Sequence, residues 1–246
     1  MARVWARTDV QPGAAGMNHG SGVSVAFPQV TGAAVLARVN PAHAVAGPLS
    51  QEFAMDTYQV GYFVGSLSST SINRLLAQAL AKLAPPALAL REIPIRDLPL
   101  YSQDYDADYP PVARAFKQAI TAADAVLFVT PEYNRSIPGC LKNAIDWASR
   151  PYGTNAFTHK PAAIIGTSPG AIGTAVAQQN LRGVLCYCNA PLMNEVEAYI
   201  QFKPGLIGAD GEVSDAGTKK FLQAYMNDLH AFIARVLAAQ PGKAVP

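Results

Sequence analysis

The chain has 246 residues, of which 50% are hydrophobic and 15% are charged, and its formal net charge is +2. This small excess of scattered basic residues does not indicate a nucleic-acid-binding surface, and a transmembrane helix is excluded because no run of about 18 apolar residues is free of charge and proline. The three cysteines, Cys140, Cys186 and Cys188, are too few for a disulfide scaffold. They indicate a reducing, intracellular compartment, for which we expect the cytoplasm.

Residues 1–54 differ in composition from the rest of the chain. Of these 54 residues, 30 are Ala, Gly, Val or Pro and only five are charged, and neither a helical nor an alternating apolar period continues for long. We expect a disordered extension, or a start codon assigned too early with Met55 as the natural first residue, followed by one folded domain over residues 55–246. The alternative is a targeting segment, because two arginines precede an apolar stretch, but Pro28 and Arg38 interrupt that stretch.

From residue 57 onward, apolar runs that predict buried strands alternate with stretches of helical period. In chain order they are a strand at 58–64, a helix at 72–83, a strand at 88–93, a helix at 112–123, a strand at 125–129, a helix at 138–149, a strand at 162–167, a helix at 173–186, a strand at 192–198 and a helix at 214–237. Because the strands are continuously apolar, we expect a parallel sheet with helices on both faces. This pattern predicts an α/β, flavodoxin-like, doubly wound five-stranded sheet with strand order 2-1-3-4-5, and ligands at the carboxyl ends of its strands.

The loop after the first predicted strand, residues 65–74, carries five hydroxyl side chains and an amide. A loop of this kind presents hydroxyls, backbone N–H groups and a helix N-terminus to one point, as a bound phosphate requires. Neither the glycine-rich dinucleotide motif nor the P-loop motif is present. The alternative is that Ser71 simply caps the helix while the other hydroxyls are solvated.

The loop after the third predicted strand, residues 130–139, is suited to a planar ligand. Tyr133 offers a flat face, and the amide of Asn134 can both donate and accept hydrogen bonds. Backbone N–H groups held by the flanking prolines would meet the edge of a heterocycle. Taken by itself, the segment is equally consistent with an ordinary turn between a strand and a helix.

The loop after the fourth predicted strand, residues 166–174, allows two interpretations. Its glycines permit close backbone approach to a flat ligand. It also matches the G-x-S-x-G nucleophile elbow of serine hydrolases, with Ser168 as the nucleophile. The other two members of a catalytic triad would follow in the required chain order, first one of Asp210, Asp215 and Asp228 and then His230. Against a hydrolase, the residue after the nucleophile is Pro169, which lacks the N–H needed for the oxyanion hole, and His230 falls inside a predicted helix.

At these three loops the sequence resembles the NADPH-dependent FMN reductases, a family that includes chromate, quinone and azo-dye reductases. The matching segments are Pro131-Glu132-Tyr133-Asn134 continuing through Pro138-Gly139 to Trp147, Gly65-Ser66-Leu67 with Ser71 and Asn73-Arg74, and Ser168-Pro169-Gly170 with Gly173-Thr174. The resemblance covers residues 57–237. It implies a flavodoxin-like fold, tightly bound FMN, NADPH or NADH as electron donor, and a homodimer or homotetramer.

The resemblance also implies cofactor contacts. At the FMN phosphate it places Ser66, Ser71 and Asn73, with Leu67, Ser68 and Ile72 beside them. At the flavin ring it places Pro131, Glu132, Tyr133 and Asn134. On the other side of that ring it places Ser168 and Gly170. The family commonly has Arg directly after Gly-Ser-Leu, where this chain has Ser68. Loss of that cation is expected to weaken FMN retention by about 1–2 kcal/mol.

The expected function is an NAD(P)H oxidoreductase that passes two electrons by ping-pong hydride transfer through flavin N5 to a quinone, an azo dye, a metal oxyanion such as chromate, or free flavin. No catalytic side chain, metal site, nucleic-acid partner or membrane partner is expected. Arg135 is either a contact for the NADPH 2′-phosphate or a solvated surface arginine. The alternative is a non-enzymatic FMN electron carrier, although such carriers tend to be strongly acidic and this chain is not.

Overall fold

The computed structural model describes residues 57–240. Within them, five strands form one parallel sheet in the order β2-β1-β3-β4-β5. The strands are β1 (Tyr58–Val64), β2 (Leu88–Glu92), β3 (Ala125–Val129), β4 (Ala162–Ser168) and β5 (Tyr199–Gln201). The helices are α1 (Ile72–Leu83), α2 (Pro111–Ala122), α3 (Gly139–Ser149), α4 (Ala175–Tyr187) and α5 (Ala216–Ala238), with a short 3₁₀ turn at Gln103–Tyr105. The flavodoxin-like fold with strand order 2-1-3-4-5 is therefore confirmed, whereas the expectations for residues 1–54 lie outside the described residues.

The central strand shows why the apolar runs are continuous. All five residues of β3 are buried, and alternate side chains point to opposite faces. Leu127 packs on the face covered by α1 and α5, whereas Phe128 packs on the face covered by α2, α3 and α4. With helices on both faces, neither side of the strand tolerates a polar residue.

The predicted position of the last strand was wrong. It was expected at 192–198, but β5 is Tyr199–Gln201, and Leu192 makes only an isolated parallel bridge to Ala162. Between these points Val196 has φ of +66°, a conformation that interrupts extended pairing and is strained for a β-branched residue. The edge strand is therefore split, and only its final three residues pair continuously with β4.

The segment after β2 runs back across the carboxyl edge of the sheet. The side chains of Ile93, Ile95 and Leu98 are buried. The carbonyl oxygen of Pro99 accepts hydrogen bonds from Asn143 Nδ2 (2.9 Å) and Trp147 Nε1 (2.7 Å). Residues 93–99 are thus anchored between the end of β2 and helix α3, beside the loop that follows β1.

No helix between residues 57 and 240 combines the length and the apolar character needed to cross a membrane. This includes α5, whose 23 residues form the longest of the five helices named above.

Candidate cofactor site

The β1–α1 loop, residues 65–71, ends in a helix whose first N–H groups are available. Ser71 is the N-cap of α1, and its hydroxyl accepts a hydrogen bond from the N–H of Arg74. Ser71 therefore does cap the helix. Within the described residues, the N–H groups of Ile72 and Asn73, the first two of the helix, have no acceptor. They leave an anion-binding position at the helix N-terminus.

The other hydroxyls shape this loop. Ser66 is buried, and its Oγ accepts from the N–H of Ser68 at 3.3 Å. Ser68 Oγ in turn accepts from the N–H of Thr70 at 3.2 Å. Leu67, Ser68 and their neighbours up to Thr70 are exposed at the rim of the sheet. The hydroxyl groups thus bend the backbone tightly and remain next to the free N–H groups of α1.

The Asn73 side chain makes two hydrogen bonds within the protein. Its Oδ1 accepts from the N–H of Thr167 at 3.0 Å, and its Nδ2 donates to the carbonyl oxygen of Thr167 at 2.9 Å. Asn73 is 1% exposed and Thr167 is fully buried. The amide therefore joins α1 to the end of β4, and the backbone N–H of Asn73 and the second hydrogen of Nδ2 are left for a ligand.

The loop after β3 forms a two-residue hairpin. Tyr133 and Ser136 exchange both backbone hydrogen bonds, at 3.1 and 3.0 Å. Asn134 and Arg135 between them have φ of +51° and +60°, as a type I′ turn requires, and Asn is one of the residues that tolerates this conformation best. The turn displays Asn134 and Arg135 to solvent and leaves the Tyr133 ring half-exposed.

Glu132 fixes this hairpin to helix α4. Its Oε2 accepts from the N–H groups of Val176 (3.0 Å) and Ala177 (3.1 Å) at the helix N-terminus, where negative charge is favoured. Its Oε1 pairs with Arg135 Nη1 at 3.1 Å. The carboxylate of Glu132 is 8% exposed. Both carboxylate oxygens of Glu132 thus have partners within the protein.

The loop after β4 is shaped by local hydrogen bonding and by a glycine. Ser168 Oγ accepts from the N–H of Gly170 at 3.1 Å. Gly173 has φ of +59°, and a Cβ there would lie 2.8 Å from the carbonyl carbon of Tyr199, so this position cannot accommodate a side chain without movement. The turn presents Ser168 and Gly170 beside the loop after β3, to which Glu132 links it.

The serine hydrolase interpretation fails on geometry. Ser168 is the last residue of β4, at the carboxyl edge of the sheet. His230 packs against the ring of Tyr58, with a centroid distance of 5.7 Å, and Tyr58 is the first residue of β1. Since the strands are parallel, the two side chains lie at opposite edges, about 20 Å apart for a seven-residue strand.

The three loops share an apolar character that the sequence did not indicate. Each contributes a large side chain to the surface: Leu67 is 38% exposed, Tyr133 50% and Ile172 48%. These three side chains belong to the loops that follow β1, β3 and β4 at the carboxyl edge of the sheet. An apolar rim around hydrogen-bonding loops is typical of a site for a flat organic ligand.

Charged and nucleophilic groups at this edge are few. Arg74 is bound to both carboxylate oxygens of Glu92, at 2.9 and 2.7 Å. Burial raises the pKa of the Cys140 thiol, so this cysteine at the start of α3 is not an activated nucleophile. Among residues 57–240 no group of three or more His, Cys, Asp or Glu side chains is placed to hold a metal ion.

Arg96 belongs to no motif that would have identified it from the sequence. It follows β2, and its Nη2 donates to the carbonyl oxygen of Leu67 in the β1–α1 loop. Only the strand order, which places β2 next to β1, reveals that the two segments are neighbours.

The doubly wound sheet and its strand order define a flavodoxin-like protein. The family model for NADPH-dependent FMN reductases matches residues 58–205, and the chain belongs to that family. It is an oxidoreductase that uses FMN and NAD(P)H.

Curated relatives and solved structures agree with this assignment. A 2-hydroxy-1,4-benzoquinone reductase of Burkholderia sp is 54% identical over 175 residues, which are 71% of this chain and 96% of the relative. A quinone reductase of Pseudomonas putida is 48% identical over 177 residues, 72% of this chain and 95% of the relative. The structure of the flavoenzyme NAD(P)H:acceptor oxidoreductase FerB from Paracoccus denitrificans superimposes with a TM-score of 0.70 at 46% identity, covering 73% of this chain and 98% of that chain.

Proposed function

We propose that this protein is a quinone reductase that transfers two electrons from NAD(P)H to a small quinone. The observation that carries the proposal is the 54% identity to a 2-hydroxy-1,4-benzoquinone reductase along 96% of that enzyme. The apolar rim formed by Leu67, Tyr133 and Ile172 supports it, because a quinone is a flat molecule with an apolar body and two carbonyl oxygens.

We place the FMN phosphate at the β1–α1 loop. The donors available there fit a phosphate: the N–H groups of Ile72 and Asn73, which have no acceptor among the described residues, together with the hydroxyls of Ser66, Ser68 and Ser71. Leu67 would contribute its backbone. The Asn73 side chain adds only the second hydrogen of Nδ2 to this donor set, since Oδ1 and the other hydrogen bind Thr167.

We place the flavin ring between the other two loops. The backbone of Pro131, Glu132 and Asn134 and the ring of Tyr133 lie on one side, and Ser168 and Gly170 lie on the other. When bound here, FMN would supply the two-electron redox chemistry. The protein's own residues bind and orient the reactants, and no side chain in these loops is placed as an acid–base pair. We therefore expect the donor and the quinone to use one open face in turn.

The test is steady-state kinetics on the purified full-length holoenzyme, with NADPH or NADH as donor. We expect 2-hydroxy-1,4-benzoquinone to give a higher kcat/KM than chromate, an azo dye or free FMN, and we expect parallel double-reciprocal lines. Intersecting lines would contradict the shared face. Quinone turnover no faster than that of the other acceptors would contradict the quinone assignment, and a flavin that NAD(P)H does not bleach would favour an electron carrier instead.

Arg135 is proposed to contact the 2′-phosphate of NADPH. Its side chain is 70% exposed and is held by Glu132, so the guanidinium is oriented at the rim of the site while most of its donors stay free. Arg135→Ala should reduce kcat/KM for NADPH several-fold more than for NADH, and Arg135→Lys should reduce it less. Equal effects on the two donors would show that the arginine does not recognise the 2′-phosphate.

We also propose that the protein forms a homodimer or homotetramer in the cytoplasm. Among the described residues Leu100, Tyr152 and Tyr187 are 84%, 90% and 79% exposed, so large apolar side chains are available for a subunit contact. All three cysteines are free, as a reducing compartment requires. Light scattering after size-exclusion chromatography measures the oligomeric state, and a monomer at micromolar concentration would contradict the proposal.

A further inference from the structure

The proposed phosphate loop has no cation of its own. Residues 65–73 contain neither Lys nor Arg, and Arg74, which follows them, is bound to both oxygens of Glu92. A phosphate at this loop would therefore meet only neutral donors from the segment itself. A dianion held in this way lacks the charge-assisted hydrogen bonds that strengthen phosphate binding.

Arg96 brings a guanidinium to this loop from a different part of the chain. Its Nη2 donates to the carbonyl oxygen of Leu67. Within residues 57–240, no carboxylate lies within ion-pair distance of Arg96. A guanidinium carries five N–H donors and remains charged at all relevant pH values, so one contact with Leu67 leaves four donors and the full charge for an anion.

The backbone around Arg96 is well fixed although its side chain is exposed. The N–H of Ile93 donates to the carbonyl oxygen of Tyr62 in β1 at 2.8 Å. Ile95, directly before Arg96, is 6% exposed and Leu98, two residues after it, is 9% exposed, so the chain is anchored in the core on both sides of Arg96. Arg96 is therefore held at the carboxyl edge of the sheet, next to the loop that follows β1.

We propose that Arg96 is the cationic binding residue for the FMN phosphate. This inference rests on the proposed placement of the phosphate at the β1–α1 loop. The contact with Leu67 positions the guanidinium on the loop, and the remaining donors bind phosphate oxygens. Arg96 thereby supplies the charge that is missing at Ser68, and the weaker FMN retention expected from Ser68 alone does not apply.

The test compares FMN with riboflavin, which lacks the phosphate. The full-length protein is stripped of flavin, and the dissociation constant of each flavin is measured by quenching of flavin fluorescence. Arg96→Ala should weaken FMN binding by about 10- to 100-fold, the range for loss of a charge-assisted hydrogen bond, and leave riboflavin binding unchanged. Arg96→Lys should lie in between. Arg91→Ala is the matched control, since Arg91 is an exposed arginine of the neighbouring strand β2 without an ion pair among the described residues.

Two substitutions at Ser68 separate the inference from the placement on which it rests. Ser68→Arg in the Arg96→Ala background should restore FMN affinity, because it returns a cation to the loop. Ser68→Glu should selectively weaken FMN if the phosphate lies at this loop. If Ser68→Glu is selective while Arg96→Ala is neutral or weakens both flavins equally, the placement stands and the role of Arg96 is refuted. If neither variant distinguishes FMN from riboflavin, both the placement and the role of Arg96 are refuted.

Discussion

Replacement of Asn73 by alanine is the sharpest test of how the site is held together. In the structure its amide closes a pair of hydrogen bonds with the backbone of Thr167, at 3.0 and 2.9 Å, across a sequence separation of 94 residues. Both residues are buried, so bulk solvent does not reach the groups that the amide satisfies. Asn73→Ala leaves one N–H and one carbonyl group of Thr167 without partners at the end of β4.

The cost follows from the burial of those two groups. Each unsatisfied buried group costs about 1–3 kcal/mol, which gives about 2–6 kcal/mol for the pair. That is a large part of the total stability of about 5–15 kcal/mol that is typical of a domain. At about 2–4 °C for each kcal/mol in a domain of this size, the expected decrease in Tm is roughly 10 °C.

The assay combines unfolding with flavin binding. Urea unfolding of the full-length apoprotein gives the change in free energy, and fluorescence quenching gives the dissociation constants of FMN and riboflavin. Asn73→Asp keeps an acceptor for Thr167 N–H but loses the donor to its carbonyl group, so it should also destabilise. Asn227→Ala is the matched control, because Asn227 is exposed on α5 and should change stability by less than about 0.5 kcal/mol.

The two roles considered for Asn73 predict opposite results. If the side chain links α1 to β4, stability falls and the ratio of FMN affinity to riboflavin affinity is unchanged. If the side chain held the phosphate, FMN binding would weaken relative to riboflavin and stability would hardly change. The second outcome would refute the structural role of Asn73.

Three other substitutions or reactions follow from the same contacts. Glu132→Gln should cost about 1–2 kcal/mol in urea unfolding, because the α4 N-terminus loses a charged cap; an unchanged midpoint would contradict that role. Gly173→Ala should destabilise by more than about 1 kcal/mol, because a Cβ at positive φ would meet the backbone of β5. Gly183→Ala, on α4 with open space around the added Cβ, should be neutral or stabilising, and equal effects of the two alanines would contradict the steric explanation. Iodoacetamide should label exposed Cys186 well before Cys140, whose thiol pKa is raised by burial; mass spectrometry of the labelled peptides measures the order.

Most strands and helices could be predicted because each is marked by the apolar pattern of its own residues. The continuous apolar run at 58–64 predicted β1 and the helical period at 72–83 predicted α1, both matching the structure. The last strand could not be predicted in the same way. Its pairing depends on where the edge of the sheet is interrupted, and the positive φ of Val196 is imposed by tertiary contacts rather than by local propensity.

The loops were predicted as the cofactor site, whereas the partners of their side chains were not. Glu132 reaches the N-terminus of α4, 44 residues away, and the Arg96 side chain reaches Leu67, 29 residues away. Such contacts depend on which strands are neighbours, and a motif of adjacent residues does not contain that information. The presence of a polar residue in a binding motif therefore does not distinguish a side chain that supports the loop from one that contacts the ligand.

Long-range contacts divide the side chains of this site into two classes with different thermodynamic effects. Asn73 and Glu132 bind backbone groups of other elements, so they hold the loops in place before the cofactor arrives and reduce the entropy lost on binding. Their removal should weaken FMN and riboflavin alike, since both flavins need the same arrangement of loops. Arg96 adds charge beside the proposed phosphate position, so its removal should affect FMN alone. The ratio of the two affinities therefore distinguishes a residue that supports the site from one that binds the cofactor, which neither the motif nor the overall activity can do.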